Sequence, residues 1–515
     1  MSTNYENKLG KYIFYTGLLA SIITLVLAFN SQRPTLAQEE DWSQAIPLSE
    51  PPGFSWFPDL TVDESGSIHV VWCWTIPEDT GGLREQVHYS RWDGQDWSQP
   101  NDIVPPSADI VRNAVAADLG GNIHLLFGGS VYDRNFGLYY QKAPKEQAWS
   151  AGAWSSPHLI NQGISYMGDL AVDSQGAIHV IYDDIIHSNN DLPTRADIFY
   201  RRSTNGGQTW TRPVDLSQSP STGSARPSLE IDANDTLHIT WDEGWDRLSG
   251  TTVLTYHSGY LSSFDGGNTW TPPTIVDHPD ESVVQLAAGS NAQGGVMLVW
   301  RSNVHDNLFY QWSTDSGLSW TPAYTIPHLI SRPWSNPFDM YDMTTDSGGN
   351  IHLLVVGRVS PEDDATLGVY HLSWDGNHWS APARVFASAE LYPEYPKIFI
   401  SEGNQLHAAW FTREHLWDQT AQRTIWYSKA QASTPHQVVT PLPTPTAQQT
   451  PTAIQGLAPT ATPHPTLAFH NTDLPGGLYT DHDDWMRLII TLSPLVLVLA
   501  SIILFITLWS GKLRR

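Results

Sequence analysis

The sequence predicts an all-β fold, a seven-bladed β-propeller of four-stranded blades that the N-terminal strand closes. Three observations predict it. A glycine-containing turn motif ending in tryptophan occurs three times, and a strand–turn–strand unit occurs seven times at a nearly constant interval. The 515-residue chain also has 23 tryptophans but only 16% charged residues. Tandem repeats of this length with an aromatic composition are typical of repeated β architectures.

The turn motif reads Ser-x-Asp/Asn-x-Gly-x-Thr/Ser-Trp and spans Ser203 to Trp210, Ser263 to Trp270 and Ser313 to Trp320. Serine, aspartate and asparagine side chains cap backbone groups in tight turns, and glycine accepts a positive φ. The motif therefore predicts a turn between two antiparallel strands, with the tryptophan at the start of the second strand.

A strand–turn–strand unit precedes these turns, and its first copy reads Asp-x-x-Gly-x-Ile-His-Val-Val-Trp. The seven copies are Asp63 to Trp72, Asp118 to Phe127, Asp173 to Tyr182, Asp232 to Trp241, Asn291 to Trp300, Asp346 to Val355 and Ser401 to Trp410. Successive copies begin 55 or 59 residues apart. Two short apolar runs around a polar turn indicate a β-hairpin.

Each period also contains a tyrosine-bearing strand and a Trp-Ser/Thr strand, so it supplies four strands, A to D, as a propeller blade does. The last period lacks its Trp-Ser strand, but Asp41-Trp42-Ser43-Gln44 repeats Asp96-Trp97-Ser98-Gln99. We therefore expect the N-terminal strand to complete the sheet that holds Trp410 and Tyr427. This closes the ring over residues 42–433 and removes its exposed edges.

Composition restricts the partners and the chemistry. The chain has 27 basic and 53 acidic residues, a net charge of −26. This disfavours nucleic acid as a partner, because its phosphates are neutralised by lysine and arginine. The single cysteine, Cys73, excludes an intramolecular disulfide. An exported form would therefore be stabilised by packing rather than by cross-links.

The N-terminus has the features of an export signal. Lys8 and Lys11 precede an apolar run over residues 12–29, and Thr35-Leu36-Ala37 supplies small residues at a cleavage position. This order is that of a secretory signal peptide. Residues 1–37 are therefore predicted to be a cleaved signal peptide or, because the apolar run is long, a retained anchor helix. Both alternatives export the rest of the chain.

The C-terminal part predicts a stalk and a membrane anchor. Residues 434–468 are dominated by proline and threonine, which favour an extended spacer over a packed core. Residues 488–509 form an apolar run long enough for one transmembrane helix, and the tail 510–515 is basic. The positive-inside rule then leaves the tail in the cytoplasm and the propeller outside the cell membrane, on a single-pass chain.

The three turn motifs resemble the Asp boxes, also called BNR repeats, of the sialidase superfamily. The resemblance covers the whole body and implies a propeller whose Asp boxes lie opposite the active site, so that the box residues are structural. Sialidases bind the substrate carboxylate with an arginine triad and use an aspartate acid/base and a tyrosine–glutamate nucleophile pair. Their usual Phe/Tyr-Arg-Ile-Pro motif is absent here, and the nearest fragments are Arg226-Pro227 and Arg332-Pro333.

The B–C and D–A loops share the face opposite the Asp boxes, and the B–C loops vary in length and content, so we expect a site there. Arg112 and Arg226 lie in the same register, six residues before a turn aspartate, and should point toward the axis at the same height. Arg332, in another D–A loop, could join them. An arginine cluster suits bidentate binding of a carboxylate. The alternative is a structural network in which each arginine pairs with an acid such as Asp169.

Other residues of this face add candidate chemistry. The predicted ligand-binding set also includes Trp56, Tyr166 and Asp169. Asp183 and Asp242 each begin a pair of acids after strand B, and such pairs could serve as acid and base or bind Ca²⁺. The alternative is that they are solvated loop acids. Tyr392 or Tyr395, beside Glu394, could form a tyrosine–glutamate nucleophile pair.

Histidines recur at one position of strand B. They are His69, His124, His179, His238, His352 and His407. We expect buried structural histidines rather than metal ligands, because they lie on different blades without ligand spacing. No metal or cofactor site is predicted.

Together these features favour a membrane-anchored propeller outside the cell that binds an extracellular glycan or protein through its B–C/D–A face. The alternative is an exo-glycosidase of sialidase type acting on terminal sialic-acid-like sugars, with Arg112, Arg226 and Arg332 on the carboxylate. A purely structural scaffold is the third interpretation, and it predicts arginines that are all paired internally.

Overall fold

The computed structural model describes the chain from residue 41 to residue 437 with gaps. The described ranges are 41–51, 53–77, 83–104, 110–131, 136–163, 165, 167–184, 196–219, 223–244, 257–278, 282–302, 306–331, 341–359, 367–415 and 421–437. The predicted signal segment 1–37, nearly all of the stalk 434–468, the helix 488–509 and the tail 510–515 lie outside them. Within these ranges no helix has the length and apolarity needed to cross a bilayer.

The described residues form short strands in a repeating order, with two 3-10 helices in the second repeat. The N-terminal and first-repeat strands are β1 (Ile46–Pro47), β2 (Phe54–Val62), β3 (Ile68–Pro77), β4 (Leu83–Trp92) and β5 (Asn101–Asp102). The second repeat contains β6 (Ile110–Ala117), β7 (Asn122–Gly129), β8 (Gly137–Pro144), the helices Lys145–Gln147 and Ala151–Ala153, and β9 (His158–Gln162). The third contains β10 (Gly168–Val172), β11 (Ile178–Asp184), β12 (Asp197–Ser203) and β13 (Val214–Asp215).

The remaining repeats follow the same order. The fourth contains β14 (Ser224–Ile231), β15 (Leu237–Glu243), β16 (His257–Ser263) and β17 (Thr274–Asp277). The fifth contains β18 (Val284–Ser290), β19 (Val296–Arg301), β20 (Leu308–Ser313) and β21 (Tyr324–Thr325). The sixth contains β22 (Ile330–Ser331), β23 (Tyr341–Thr345), β24 (Ile351–Arg358), β25 (Gly368–Trp374) and β26 (Ala383–Ala387). The last contains β27 (Tyr392–Ser401), β28 (Gln405–Arg413) and β29 (Arg423–Gln431).

Each repeat is an antiparallel meander. The second to fifth repeats are separate four-stranded sheets, and in the sixth both β22 and β23 pair with β24. The first and last repeats share an eight-stranded sheet, in which β2 and β29 meet through a parallel pair, Phe54 with Arg423. The first long strands of successive repeats contact one another in chain order, and β27 returns to contact β2. This arrangement is that of a β-propeller, with β2, β6, β10, β14, β18, β23 and β27 innermost.

The N-terminal segment pairs with the last repeat, as the sequence predicted. Ile46 lies opposite Tyr427 in the β1–β29 pair. The backbone N–H of Ser43 donates to the carbonyl of Lys429 at 2.8 Å, and that of Leu48 donates to Ile425 at 2.8 Å. Residues from the two ends of the described chain therefore complete one sheet, which leaves no unpaired edge on β29.

A tryptophan of each repeat packs edge-on or tilted against an aromatic ring of the preceding repeat. The seven pairs are Trp97–Tyr427, Trp154–Tyr89, Trp210–Tyr140, Trp270–Tyr200, Trp320–Tyr260, Trp379–Tyr310 and Trp42–His371, with ring centroids 4.9 to 6.3 Å apart. Such pairs add to the free energy of area burial. The D-strand tryptophans are thus inter-repeat packing residues.

The turn motifs are structural. In the second copy, the Ser263 hydroxyl oxygen accepts the backbone N–H of Gly267 at 2.8 Å, and Asp265 accepts that of Thr269 at 2.8 Å. Gly267 has φ +79° and lies directly on the Tyr200 ring of the preceding repeat. The box therefore holds both its own hairpin and the neighbouring sheet.

The strand-B histidines are buried structural residues, which confirms the prediction. His69 hydrogen-bonds with the Tyr89 hydroxyl at 2.7 Å and with Asp63 at 3.2 Å. The corresponding bonds of the other repeats are His124–Tyr140, His179–Tyr200, His238–Tyr260, His352–His371 and His407–Tyr427. Each histidine thus connects strand B to strand C at the turn end of its repeat.

The chain ends its described part on the turn end of the propeller. The side-chain amide of Asn404 donates to the Thr434 carbonyl at 2.9 Å, and the backbone N–H of Gln437 donates to the Glu402 carbonyl at 2.7 Å. Glu402 and Asn404 belong to the turn between β27 and β28. The first residues of the predicted stalk therefore leave from the face that carries the turns.

Replacing Trp42 by alanine should destabilise the propeller by about 1–2 kcal/mol, because this half-buried indole packs on His371 and covers the last sheet. Chemical denaturation of the full chain measures it. Trp149→Ala is the matched control: this side chain is 56% exposed, and its loss should change stability by less than about 0.5 kcal/mol. Equal effects of the two substitutions would contradict closure through Trp42.

Candidate functional site

A ring of β-bulges marks the ends of the innermost strands that lie away from the turns. Phe57, Arg226, Gln285 and Tyr395 have φ of 52°, 53°, 57° and 51° and each sits six residues before its turn residue. Each lies in a register shift of its strand. A non-glycine residue in this region costs about 1–2 kcal/mol. Backbone strain repeated at one register is typical of a functional site.

The bulges correct the predicted loop assignments. Arg112, Asp169, Arg226, Trp56, Tyr392 and Glu394 were expected in D–A loops, but they lie within β6, β10, β14, β2 and β27. A bulge absorbs one unpaired residue and lets strand pairing continue beyond it. The first strands therefore extend further toward this face than the sequence pattern indicated.

A partly open cavity of about 80 Å³ lies among these strands. Its lining has two layers that differ by two residues along the strands. We call Arg112, Arg226, Gln285 and Tyr395 the outer ring. We call Asp59, Asp169, Asp342 and Lys397 the inner ring. Residues of both rings line the same cavity.

Arg112 is held by aromatic rings. Its guanidinium lies 3.9 Å from the centroid of Phe57 and 4.9 Å from that of Tyr395, and the residue is only 8% exposed. Guanidinium stacking on aromatic faces fixes its plane while its N–H groups point outward along the edge. The strained residues Phe57 and Tyr395 thus orient this cation at the cavity.

Arg226 shares the cavity with Arg112 but pairs with Asp242, at 3.8 Å. The predicted structural alternative named Asp169 as such a partner, whereas the structure places Asp169 in the inner ring. Asp242 also accepts the backbone N–H groups of Gln285 and Leu286, at 3.1 and 3.2 Å. This carboxylate therefore fixes Arg226 and the neighbouring strand together.

The inner-ring aspartates also connect neighbouring repeats. Asp59 accepts the backbone N–H of Val115 at 2.8 Å, and Asp169 accepts that of Leu229 at 3.0 Å. In the same way Asp342 accepts the N–H of Ile398 at 3.0 Å. One oxygen of each carboxylate is thus used by the next innermost strand, so the inner ring has a structural function as well as a place in the cavity.

The enclosed environment shifts the protonation of these groups. Burial raises the pKa of Asp59 to about 7 and also raises the pKa of Asp169. Burial acts to lower the pKa of Lys397, but Asp342 and the other acids around it hold that pKa well above the usual value. Deeper on β14, burial raises the pKa of Glu230 to about 8. The inner ring therefore combines an ammonium group with acids, two of which, Asp59 and Asp169, are shifted toward their protonated form.

The acids after strand B are not solvated loop residues, contrary to that expectation. Asp183 and Asp242 are 1% and 0% exposed and lie in the last residues of β11 and β15. Asp183 accepts the backbone N–H of Met167 at 3.0 Å. These carboxylates are buried because they cap backbone groups of the innermost strands, a position that sequence spacing does not reveal.

The remaining candidates are placed as follows. Glu394 is fully buried and accepts a hydrogen bond from Arg413, while Tyr392 is half-buried at the start of β27. Trp56 stacks on Phe57, with centroids 5.1 Å apart, and its other neighbour is the Arg423 guanidinium. Arg332 and Tyr166 lie outside the described residues. In the described ranges, no three His, Cys, Asp or Glu side chains are grouped closely enough to hold a metal ion.

Sequence reasoning missed Asp342 and Lys397, did not identify Asp59 as a site residue, and considered Tyr395 only as an alternative to Tyr392 beside Glu394. A signal was present. Counting six residues back from each turn residue gives the outer-ring register, and counting four back gives Asp59, Asp169, Asp342 and Lys397. The count from the turn residue that placed Arg112 and Arg226 in one register would also have identified the inner ring.

These features define the class of protein as an Asp-box β-propeller with a charged axial cavity. The BNR repeat-like domain family matches residues 147–408, half of the chain. The chain belongs to this family, which confirms the resemblance seen in the turn motifs.

Similar folds occur in several solved structures. They include a protein of unknown function from Dyadobacter fermentans (12% identity, 76% of this chain and 99% of that chain, TM-score 0.47). They also include the NanB sialidase of Streptococcus pneumoniae (13%, 77% and 71%, 0.42) and the alpha-L-arabinanase of Penicillium chrysogenum (12%, 75% and 98%, 0.40). No curated protein matches the chain. Identities at this level do not transfer a ligand or an activity.

Proposed function

We propose that the chain is a membrane-anchored, extracellular propeller of seven blades that binds glycans or surface proteins through the face on which the axial cavity opens. The seven inter-repeat aromatic pairs support the blade number. The apolar segments at both ends and the proline- and threonine-rich stalk support export and anchoring. Residues 434–437 pack on the turn end, so the cavity end points away from the start of the stalk.

The binding proposal rests on one observation: Arg112 and Arg226 line the same cavity. Both are nearly buried, and Arg112 is fixed between two aromatic rings. Buried arginines in a pocket recognise carboxylate groups through paired N–H donors, and the nearby rings offer apolar faces to a sugar. An acidic substituent of a glycan suits this combination.

Screening the full-length chain in detergent on a glycan array tests the proposal. We expect binding to glycans with carboxylate groups, weakened about tenfold or more by Arg112→Gln, because a guanidinium–carboxylate contact is lost. Arg384→Gln, at an exposed arginine of the outer strand β26, is the matched control and should bind normally. Absence of any glycan or surface-protein ligand, or equal binding by both variants, would count against this site.

The same preparation distinguishes the exo-glycosidase alternative. A fluorogenic sialoside should remain intact if the propeller only binds. Turnover that disappears in Arg226→Gln would instead support a sialidase-type enzyme with this arginine on the substrate carboxylate.

A further inference from the structure

The cavity is lined by one residue from each repeat at a single register, four positions before the turn residue. In chain order these residues are Asp59, Ala114, Asp169, Ser228, Ala287, Asp342 and Lys397. Three of them are acids and one is a base, so acids from three different repeats share one partly open space. Ionising all of them is unfavourable, because each carboxylate loses solvation there and gains neighbours of its own sign.

The cations of the cavity do not compensate the three acids equally. Among these acids, Asp342 acts most strongly on Lys397. Arg226 lies 3.8 Å from Asp242, a carboxylate outside the inner ring. The other two inner-ring aspartates, on β2 and β10, are therefore the ones whose charge is compensated least.

The electrostatic environment of these two acids agrees with this geometry. Burial raises the pKa of Asp59 to about 7, and Asp169 and Asp342 raise it further, whereas Lys397 lowers it. Burial also raises the pKa of Asp169, with Lys397 opposing and Asp342 adding to the rise. The charged and titratable groups on the strands packed around the two acids are Arg112, Arg226, Glu230, Asp342, Tyr395 and Lys397.

Both acids also hold neighbouring repeats together. Asp59 accepts the backbone N–H of Val115 on β6, at 2.8 Å, and Asp169 accepts that of Leu229 on β14, at 3.0 Å. A neutral carboxyl group can keep such a bond through its carbonyl oxygen. When both acids are ionised, their mutual repulsion acts on the contacts that join β2 to β6 and β10 to β14.

The turn end of the propeller behaves differently over the same pH range. Burial acts to raise the pKa of Asp118, but hydrogen bonds from His124 and Asn122 lower it to about 2. Burial lowers the pKa of His407 to about 3. These turn-end groups keep their charge between pH 5 and pH 8, so a change of stability in this interval points to the cavity end.

We propose that the inner ring is a proton-operated latch, in which a proton held by Asp59 or Asp169 keeps neighbouring repeats joined at the cavity end. On its release the carboxyl O–H bond breaks, the electron pair stays on the carboxylate, and the proton passes to water. The release loosens β2 from β6 and β10 from β14. The latch is a property of the fold and does not depend on the ligand of the cavity.

The sign of the pH effect follows from the raised pKa values. A carboxyl group whose pKa is higher in the folded than in the unfolded chain contributes stability below the unfolded value of about 4, and this contribution is lost as pH rises through the folded value. For Asp59 the loss falls between about pH 4 and pH 7. The cavity end should therefore be held more firmly at pH 5 than at pH 8.

Denaturant unfolding of the full-length chain in detergent at pH 5 and pH 8 tests the latch. Asp59→Asn keeps the volume and an oxygen for the Val115 N–H but cannot ionise. We expect it to lower the equilibrium constant of unfolding about tenfold at pH 8 and to change it by less than about twofold at pH 5. Asp169→Asn should act in the same way. The double variant should gain less than the two single effects together, because either substitution alone removes the repulsion.

Asp277→Asn is the matched control, because Asp277 is exposed on the outer strand β17. Its effect should be small and the same at both pH values. The inference would be overturned if Asp59→Asn destabilised the chain equally at both pH values, or if the effects of the two inner-ring substitutions added in full.

Infrared spectra of the wild-type chain labelled with ¹³C-aspartate supply a second test that needs no inner-ring variant to fold. The carbonyl band of a protonated aspartate should be present at pH 5 and lost by pH 8. Asp102→Asn removes an aspartate on β5 whose pKa burial raises to about 6, and this variant should retain the titrating band. A wild-type chain without such a band at pH 5, or a band that disappears in Asp102→Asn, would contradict the latch.

Discussion

Lys397→Met should destabilise the propeller by about 1–3 kcal/mol, somewhat less than the removal of one partner of a fully buried ion pair. The ammonium group lies among Asp59, Asp169 and Asp342, and these acids hold its pKa well above the usual value. Methionine fills a similar volume without the charge. The substitution therefore leaves three acids near the axis without their cation, while each still binds the next strand through one oxygen.

The dependence on pH separates this effect from lost packing. Without Lys397 the carboxyl pKa values should rise further above their ordinary value of about 4. A carboxyl group with a raised folded-state pKa loses stability as pH rises through the interval between its unfolded and folded values. The deficit of Lys397→Met should therefore be smaller at pH 5 than at pH 8, by denaturant unfolding at both values.

Lys429→Met is the matched control, because Lys429 is exposed and its ammonium lies over the Trp92 ring at 5.6 Å. Its loss should change stability by less than about 1 kcal/mol, with little dependence on pH. A deficit of Lys397→Met that is equally small, or that is the same at both pH values, would show that the acids around the axis do not need this cation.

The periodic part of the fold could be predicted from sequence because it repeats. The turn residues, the strand-B histidines and the tryptophans each recur at fixed spacing, and each proves to make the same contact in successive repeats. The return of the N-terminal segment to β29 followed from one missing Trp-Ser strand. Because the same local contact recurs in successive repeats, its residues recur at a fixed spacing in the sequence, and this spacing can be recognised where a single side chain could not.

The site end of the strands could be predicted only in part. Arg112 and Arg226 were identified by register, but the bulges at Phe57, Gln285 and Tyr395 were not, because a β-bulge has no firm sequence signal. The burial of Asp183 was also not predicted, because its carboxylate accepts the backbone N–H of Met167, directly before β10. The chemistry of such a cavity comes from several repeats meeting at the axis, which no single repeat encodes.

The two ends of the strands divide stability and chemistry between them. At the turn end, glycines, tyrosines and tryptophans pack between neighbouring repeats, and the predicted stalk begins there. At the other end, non-glycine residues with positive φ hold charged groups around a cavity. Because the turn contacts connect neighbouring repeats, they should contribute much of the stability.

Gly267→Ala should therefore have a large effect, about 2–5 kcal/mol. Its φ of +79° would cost an alanine about 1–2 kcal/mol, and the added methyl group would overlap the Tyr200 ring. Overpacking of a filled contact costs about a further 1–3 kcal/mol. Because Tyr200 also holds His179, displacing the ring should loosen the hydrogen bond between them, 2.8 Å long in the native protein.

Gly376→Ala isolates the backbone contribution, because Gly376 has φ +95° and no neighbour within 4 Å of an added methyl group. Denaturant unfolding should show a loss of only about 1–2 kcal/mol for this variant. In a double-mutant cycle, Tyr200→Phe should reduce the cost of Gly267→Ala, since the clash involves the hydroxyl end of the ring. If Gly267→Ala and Gly376→Ala were equally costly, the Asp box would act only as a turn, and the contact between neighbouring repeats would not depend on this glycine.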